Sequence, residues 1–319
     1  MNGAVLGLDT SNYRTSLAVV SGSGEILVNF RKLLPVPEGE RGLRQNEAVF
    51  AHLRQMSEAA ETVRASAGEP LAAVAASTAP RDGNESYMPV FMAGASFARL
   101  MAAAMGVPFI GTTHQRGHLS AAKNGTVLEG AEEYLALHLS GGTTDLLDVE
   151  QDRITQIGGS MDLHAGQLVD RAGVAMGLPF PSGPELEKLA VLGKSEARLG
   201  CSMEGGDLRC HFSGAESQIQ RWIREGNLSP EDMAAEIYDL LARTVCRMLA
   251  AGSEKTGKRR ALVAGGVASS ALFRQLLSQR AASARKAPEI IFGTPDLSGD
   301  NAVGVALIGL RALRDIARE

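Results

Sequence analysis

The sequence predicts an α/β fold built twice, and three observations point there. The chain is 319 residues long, more than one hydrophobic core commonly serves, so two domains are expected. Its composition, 45% hydrophobic and 21% charged, is that of an ordinary globular protein. Each half also opens in the same way. An apolar run, AVLGL, meets the small polar loop Asp9-Thr10-Ser11-Asn12, and later LALHL meets Ser140-Gly141-Gly142-Thr143-Thr144-Asp145. The expected domains are residues 1–132, ending just beyond a histidine-bearing segment, and 133–319. The second carries a helical insertion and a terminal helix packing back toward the first, with a ligand cleft between the halves.

Taken in order, AVLGLDTSNYRTSLAVVSGSGEILVNFRKLL holds two or three strands joined as a meander, with the turn SGSG at Ser21 to Gly24. From Asn46 to Ala67 apolar residues recur every three or four positions, at Val49, Leu53, Met56, Ala60 and Val63, which predicts an amphipathic helix. LAAVAAST reads as a buried strand, Gly94 to Met105 as a helix of small residues, and VPFIGTT as a strand. In the second half YLALHLSGGTTDLLDVEQDRITQIGGS repeats the strand, turn, strand pattern. A helical region follows from Leu163 to about Ala197, then a loop-rich piece around CSMEGGDLRCHFSGAES. A helix from Ser229 leads to the strand RALVAGGV, the helix SSALFRQLLSQRAA, the strand EIIFGTP and a terminal helix from Ala302 to Ala317.

Several function classes are disfavoured. Lys plus Arg number 32 against 36 for Asp plus Glu, a formal charge of −4, so no global field attracts a phosphate backbone. A local basic cluster at Lys255, Lys258, Arg259 and Arg260 reads as solvated surface. No targeting signal opens the chain and no apolar stretch approaches the ~20 residues of a membrane helix, so the cytoplasm is the expected compartment. Cys201, Cys210 and Cys246 are scattered and odd in number, which fits buried or free thiols better than a disulfide framework or a zinc knuckle.

Chemistry concentrates in GTTHQRGHLS. His114 and His118 are four residues apart, so on a helix both imidazoles share one face and can share a metal ion. A zincin protease needs H-E-x-x-H, with a Glu to activate water, and Gln115 occupies that position. The loops at Asp9 and at Ser140 offer backbone N–H groups, hydroxyls and an acid at a strand turn, a pattern suited to phosphates. Ala264-Gly265-Gly266-Val267-Ala268-Ser269-Ser270 is a strand-to-helix turn that could admit an adenosine. It matches neither G-x-G-x-x-G nor a Walker loop, which disfavours Rossmann and P-loop enzymes.

Together GLDTSNYRTS, HQRGH, HLSGGTTDL, IGGSMDLHAGQLVDRAGVAMGLPFPSGP, HFSGAES, VAGGVASSALFR and GDNAVGVA, in this order over nearly the whole chain, resemble the TsaD family of tRNA N6-adenosine threonylcarbamoyltransferases. The resemblance implies a duplicated actin-like ATPase fold, ribonuclease H-like in each half, with a nucleotide cleft. It implies a divalent metal on His114, His118 and Asp300, with His138 at the place of a fourth protein ligand. A set of three histidines and one aspartate suits iron or zinc. It further implies ATP or an acyl-adenylate bound at Leu139, Ser140, Gly141, Gly142, Thr143, Asp170 and Gly183. Asp9, Ser11, Asn12, Gly265, Gly266 and Ser270 join them as candidate nucleotide or substrate contacts. The reaction implied is transfer of threonylcarbamoyl from its adenylate to N6 of adenosine in tRNA, with companion proteins or a homodimer as partners. No general acid or base is assigned.

The chain departs from the family at its loops. Two acidic positions after Asn12 are Tyr13 and Arg14, the family's Lys in S-G-L-K-T is Glu216, and the usual Asn of the adenosine turn is Ser270. Thr143 and Asp145 replace a His and a Gln, and a longer segment carries Arg81, Asp82, Glu85 and Tyr87. These changes describe a divergent paralogue. Two alternatives stay open at this level: a non-catalytic nucleotide-binding scaffold, and a carbamoyl or phosphoryl transferase acting on a small molecule.

Overall fold

A computed structural model describes residues 3–11, 14–35, 43–66, 68–83, 87–151, 153–316 and 318, with the backbone alone at 64–66. It divides the chain into two units, Met1–Asn124 with Gly299–Glu319, and Gly125–Ser298. Asn12, Tyr13 and Glu85 lie outside the described residues.

In the first unit β1 (Ala4–Thr10), β2 (Arg14–Val20) and β3 (Ile26–Leu33) form the antiparallel meander, closed at SGSG where the Ser21 N–H donates to the Glu25 carbonyl at 2.8 Å. After α1 (Gln45–Ser66) come β4 (Leu71–Ala79), α2 (Val90–Met105), β5 (Phe109–Thr113) and α3 (His114–Lys123). β4 and β5 add in parallel, giving the order β3-β2-β1-β4-β5. All seven residues of β1 are buried, as its continuous apolar run demands of a central strand covered on both faces. Leu6, Leu8, Leu17, Val19, Met56 and Val74 make the core between this sheet and its helices.

The second unit repeats the plan. β6 (Glu133–Leu139), β7 (Thr144–Glu150) and β8 (Arg153–Ser160) are an antiparallel meander, and β11 (Arg260–Ala264) and β12 (Glu289–Phe292) add in parallel. The order β8-β7-β6-β11-β12 is therefore the first sheet's order with the same strand senses. This is the duplication the two opening loops implied. Between β8 and β11 stand α4 (Ala165–Ala175), α5 (Gly183–Leu192), the hairpin β9 (Ser202–Glu204) and β10 (Arg209–His211), α6 (Ser213–Glu225) and α7 (Pro230–Thr256). α8 (Ala271–Ser283) joins β11 to β12. The core sets Leu135, Leu137 and Leu146 of the sheet against Ile237, Leu241 and Leu249 of α7.

The structure differs from the sequence reading in four places. The helical region from Leu163 breaks into α4 and α5, because the connection carries Pro179 and Pro181. The loop-rich piece holds a hairpin of three-residue strands and starts α6, whose Ala215, Ile219, Trp222 and Ile223 recur at helical spacing and turn to the core. α2 starts a turn earlier than Gly94, at Val90. The terminal helix α9 (Val303–Ile316) belongs to the first unit, while residues 125–132 go with the second. α9 lies on β1 and β4 and crosses α3, and its Val303, Val305, Ala306 and Leu310 are buried. Among the described residues no helix is long and apolar enough to cross a membrane.

Candidate metal centre

α3 starts at His114, immediately where β5 ends, with the Thr113 hydroxyl accepting from the Arg116 N–H at its N-terminus. One helical turn separates His114 from His118, and their ring centroids stand 4.3 Å apart. Asp300 arrives from the loop preceding α9. Its approach depends on Gly304, the second residue of α9, where any Cβ would lie 1.8 Å from the Gly117 carbonyl oxygen and 2.7 Å from the Ala121 N. The absence of a side chain there lets the backbones of α3 and α9 touch, and that contact carries Asp300 to the histidines.

The three side chains meet through single atoms. His118 Nε2 lies 3.0 Å from His114 Nε2 and 3.1 Å from Asp300 Oδ1, and His114 Nε2 is 3.7 Å from the same oxygen. Ligands on bonds of about 2.0–2.2 Å to one ion sit roughly 3–3.5 Å from each other, so this spacing suits a shared cation. Two imidazoles and one carboxylate suit iron or zinc and leave coordination positions for other groups.

The surroundings orient these atoms. Asp9, 1% exposed at the end of β1, places Oδ2 2.8 Å from His114 Nδ1, and the same oxygen accepts from the Ser77 hydroxyl on β4. A carboxylate can only accept, so the Nδ1 proton is fixed and Nε2 is aimed at the shared point. Asp9 Oδ1 is buried with no hydrogen-bond partner among the described residues. The Ser11 hydroxyl donates to Asp300 Oδ2 at 2.9 Å, which leaves Oδ1 toward the histidines. Burial opposes charge on His114, but the Asp9 carboxylate prevails and raises its pKa to about 9. Burial likewise opposes charge on Asp300, yet the bond from His118 and the charge of His114 hold its carboxyl far below the usual range. A divalent cation would displace the His114 proton and take over its electrostatic role.

Of the residues expected to contact nucleotide, Asp9 and Ser11 are tied to this cluster. Asn12 lies outside the described residues, and the others stand in the second unit. Ser140 closes its loop with its N–H on the Thr143 carbonyl at 2.8 Å, and its hydroxyl accepts from Gly142 N–H at 3.3 Å. Gly141 and Gly142 are exposed, and the start of α4 meets the loop where Gly166 N–H donates to the Ser140 carbonyl at 3.1 Å. Gly265, at φ 104°, lies so close to the end of β6 that a Cβ would stand 2.2 Å from the Leu139 carbonyl oxygen. Gly266 follows it into the turn before α8, whose N-terminus Ser270 caps by accepting from the Phe273 N–H at 3.1 Å. Asp170 accepts from the Ser182 N–H at 2.8 Å, and burial raises its pKa. The Tyr238 hydroxyl donates to the Gly183 carbonyl at 3.1 Å; burial first, then the Glu187 and Asp170 carboxylates, push its pKa up while Ser270 bonds to it. Asp170, Gly183 and Ser270 thus surround one phenol. His138 stands on β6 between Asp145 of β7 and Ala264 of β11.

The sequence reading overlooked His52. It is fully buried on α1, with Nε2 2.8 Å from the Ser11 carbonyl and Nδ1 2.7 Å from the Thr15 hydroxyl. The carbonyl requires a proton on Nε2, and burial lowers the pKa of the ring. It anchors both sides of the Asp9 loop. Its one sequence signal is its place within the buried stripe of Ala48, Gln55, Met56 and Ala59. Among the altered residues, Arg14 donates from Nη1 to the Asp300 carbonyl at 3.4 Å, and Glu216, half-buried, takes a 3.4 Å bond from Gln220 one turn on in α6. Lys258 of the basic cluster is buried against Asp148 and Glu150.

A family model for tRNA N6-adenosine threonylcarbamoyltransferase, TsaD, matches residues 86–307. The enzyme of that name from Methanopyrus kandleri is 29% identical over 314 residues, covering 96% of this chain and 86% of its own. That from Granulibacter bethesdensis is 31% identical over 345 aligned positions, covering 98% and 89%. Component A of Acidaminococcus fermentans (R)-2-hydroxyglutaryl-CoA dehydratase matches with a TM-score of 0.56 at 15% identity, over 98% of this chain and 99% of that one. That likeness is one of fold, the duplicated actin-like ATPase fold. With the family model spanning more than half its length, this chain is a member of the TsaD family of tRNA N6-adenosine threonylcarbamoyltransferases.

Proposed function

We propose that the chain is a metal-dependent transferase that moves threonylcarbamoyl from its adenylate to the N6 amine of an adenosine in tRNA, in the cytoplasm. The observation that carries this reading is the convergence of His114 Nε2, His118 Nε2 and Asp300 Oδ1, with every pair of the set within 4.8 Å. Iron or zinc held there would polarise a substrate phosphate or carbonyl. The remaining work falls to the chain. Asp9 orients His114, Ser11 orients Asp300, and His52 fixes the loop that presents Ser11. His138 is the proposed fourth donor. Gly141 and Gly142 offer N–H groups to the adenylate phosphate, and Asp170 accepts from its ribose hydroxyls. Gly183, Gly265, Gly266 and Ser270 border the adenosine. As N6 bonds to the carbonyl carbon, AMP leaves.

Companion proteins, or a second copy of the chain, are the proposed partners, and exposed apolar side chains on α1 and α2 support this. On α1 Phe50 and Leu53 are 65% and 41% exposed, and on α2 Met92 and Leu100 are 52% and 67% exposed. A second reading, transfer to a small-molecule acceptor, is favoured by Arg14, whose cation stands at Asp300 where the family carries acids.

Purified protein loaded with metal, given threonylcarbamoyl-adenylate and tRNA with and without the family's companion proteins, should yield modified adenosine, and His118→Ala should not. Failure of the wild type in both mixtures with metal bound overturns the tRNA reading. Retained ATP binding in that case would leave the scaffold or the small-molecule acceptor.

A further inference from the structure

The hairpin of β9 and β10 brings two cysteines together. Cys210 pairs with Met203 and His211 with Ser202 across the strands, so Cys201, two residues before Met203, shares a face with Cys210 as its diagonal neighbour. The two thiols are hydrogen-bonded to each other, and Cys201 Sγ also stands 3.5 Å from the His211 carbonyl oxygen. All three cysteines of the chain are free. Their surroundings differ. Cys210 is fully buried, whereas Cys201 is half-buried and lines a cavity of about 520 Å³ among α7, α8 and the segment leading into β9. Cys246 of α7 borders the same cavity but is buried, and burial pushes its thiol up.

One thiol that small molecules can reach, with a second held against it out of solvent, is the arrangement of a nucleophile and a resolving partner. The bond from Cys210 outweighs burial and brings the Cys201 thiol down to about 7, while the same bond, with burial, pushes the Cys210 thiol far up. We infer that Cys201 is a site of oxidation by hydrogen peroxide and that Cys210 resolves it, closing a disulfide across the β9–β10 hairpin. The Cys201 thiolate attacks one peroxide oxygen and the O–O bond breaks. Hydroxide leaves and takes up the proton that Cys201 had released, and Cys201 becomes a sulfenic acid. The Cys210 sulfur then attacks the Cys201 sulfur, the S–O bond breaks as the S–S bond forms, and the hydroxyl departs as water with the Cys210 proton. In sum two thiols and one hydrogen peroxide give one disulfide and two waters. β9 is the edge strand of its sheet, so it can yield the small shift that draws the sulfurs from hydrogen-bond contact to a bond of about 2.0 Å. Neither cysteine is among the residues assigned to the metal or the adenylate, and the inference is independent of the transfer reaction.

The full chain, reduced and kept in chelator, is treated with a small excess of hydrogen peroxide at neutral pH. Remaining thiols are then alkylated and the peptides mapped by mass spectrometry without reductant. A Cys201–Cys210 disulfide within one chain should form and should be reversed by dithiothreitol. Cys201 should be consumed roughly tenfold or more faster than Cys246, at a rate that rises as pH passes through about 7. In Cys210→Ser, folded by circular dichroism, Cys201 should stop at the sulfenic acid, which dimedone traps. In Cys201→Ser the remaining Cys210 should stay reduced. A Cys201–Cys246 bond, a bond between two chains, or equal oxidation of Cys201 and Cys246 overturns the inference. So does a Cys201 that stays reduced, or one carried on to the sulfinic acid while Cys210 is still alkylated.

Discussion

Gly304→Ala tests how the proposed metal centre is built. The new Cβ would stand 1.8 Å from the Gly117 carbonyl oxygen, whereas real Cβ contacts stay beyond 3.0 Å, so α3 and α9 must part by roughly 1.2 Å. α9 has no room to yield on its other side, because a Cβ at Gly309 would already lie 2.9 Å from both Ala75 and Val5 of the sheet. The displacement therefore falls on α3 and carries His114 and His118 away from Asp300. Metal sites tolerate about 0.2 Å in their bond lengths, so the variant should lose roughly a hundredfold or more in zinc affinity. Overpacking itself costs about 1–3 kcal/mol, which leaves the chain folded at ordinary stabilities of about 5–15 kcal/mol. Zinc is titrated against a chromophoric chelator, and urea unfolding of the metal-free protein is followed in parallel. An affinity within twofold of wild type together with an unchanged unfolding midpoint would refute the argument that this glycine sets the site.

Three further outcomes are expected. His114 has a folded pKa of about 9 against 6.5 in the unfolded chain, so its contribution is full below about pH 6.5 and lost as pH rises through 9. In chelator, urea unfolding should show up to ~3 kcal/mol disappearing over that window, and His114→Gln should flatten the profile. Glu236, 1% exposed, accepts the backbone N–H groups of Glu196, Arg198 and Leu199 at 2.7, 2.8 and 3.2 Å. Glu236→Gln turns an amide N–H toward these donors and should cost about 2–4 kcal/mol, with faster proteolysis between residues 194 and 199. His52→Leu strips the Ser11 carbonyl and the Thr15 hydroxyl of their partner and should cost about 2–4 kcal/mol in thermal unfolding. An unchanged transition would show that water replaces the ring.

Much of this was readable in the sequence because the signals were local. The run AVLGLDT marks a strand buried on both faces, and the four-residue spacing of His114 and His118 survives any change of surroundings. Repetition of the opening loops anticipated two sheets of one topology. Asp300 came only through family resemblance, since nothing in its neighbours says that it meets a helix 182 residues earlier. The sequence offers Asp9 as a nucleotide contact, and its bond to His114 Nδ1 adds a role decided by the neighbouring strand and by the exit of β5 into α3. Gly117 and Gly304 were silent, because a glycine needed for close approach resembles any other until its neighbour is known. His52 was silent for the converse reason, as a lone histidine on an apolar face is ordinary. The terminal helix is expected to pack back toward the first half, and α9 does lie on β1 and β4.

The first unit is discontinuous along the chain, and this bears on the order of events during synthesis. The whole segment Gly125–Ser298 leaves the ribosome before Gly299–Glu319. The second unit can therefore fold as it emerges, whereas the first waits with β1 and β4 lacking the helix that covers them. His114 and His118 are made early but stay two-thirds of a centre until Asp300 appears. A nascent or shortened chain thus offers no complete set of the proposed ligands, so a metal held there would be acquired late and would report that the first unit has closed.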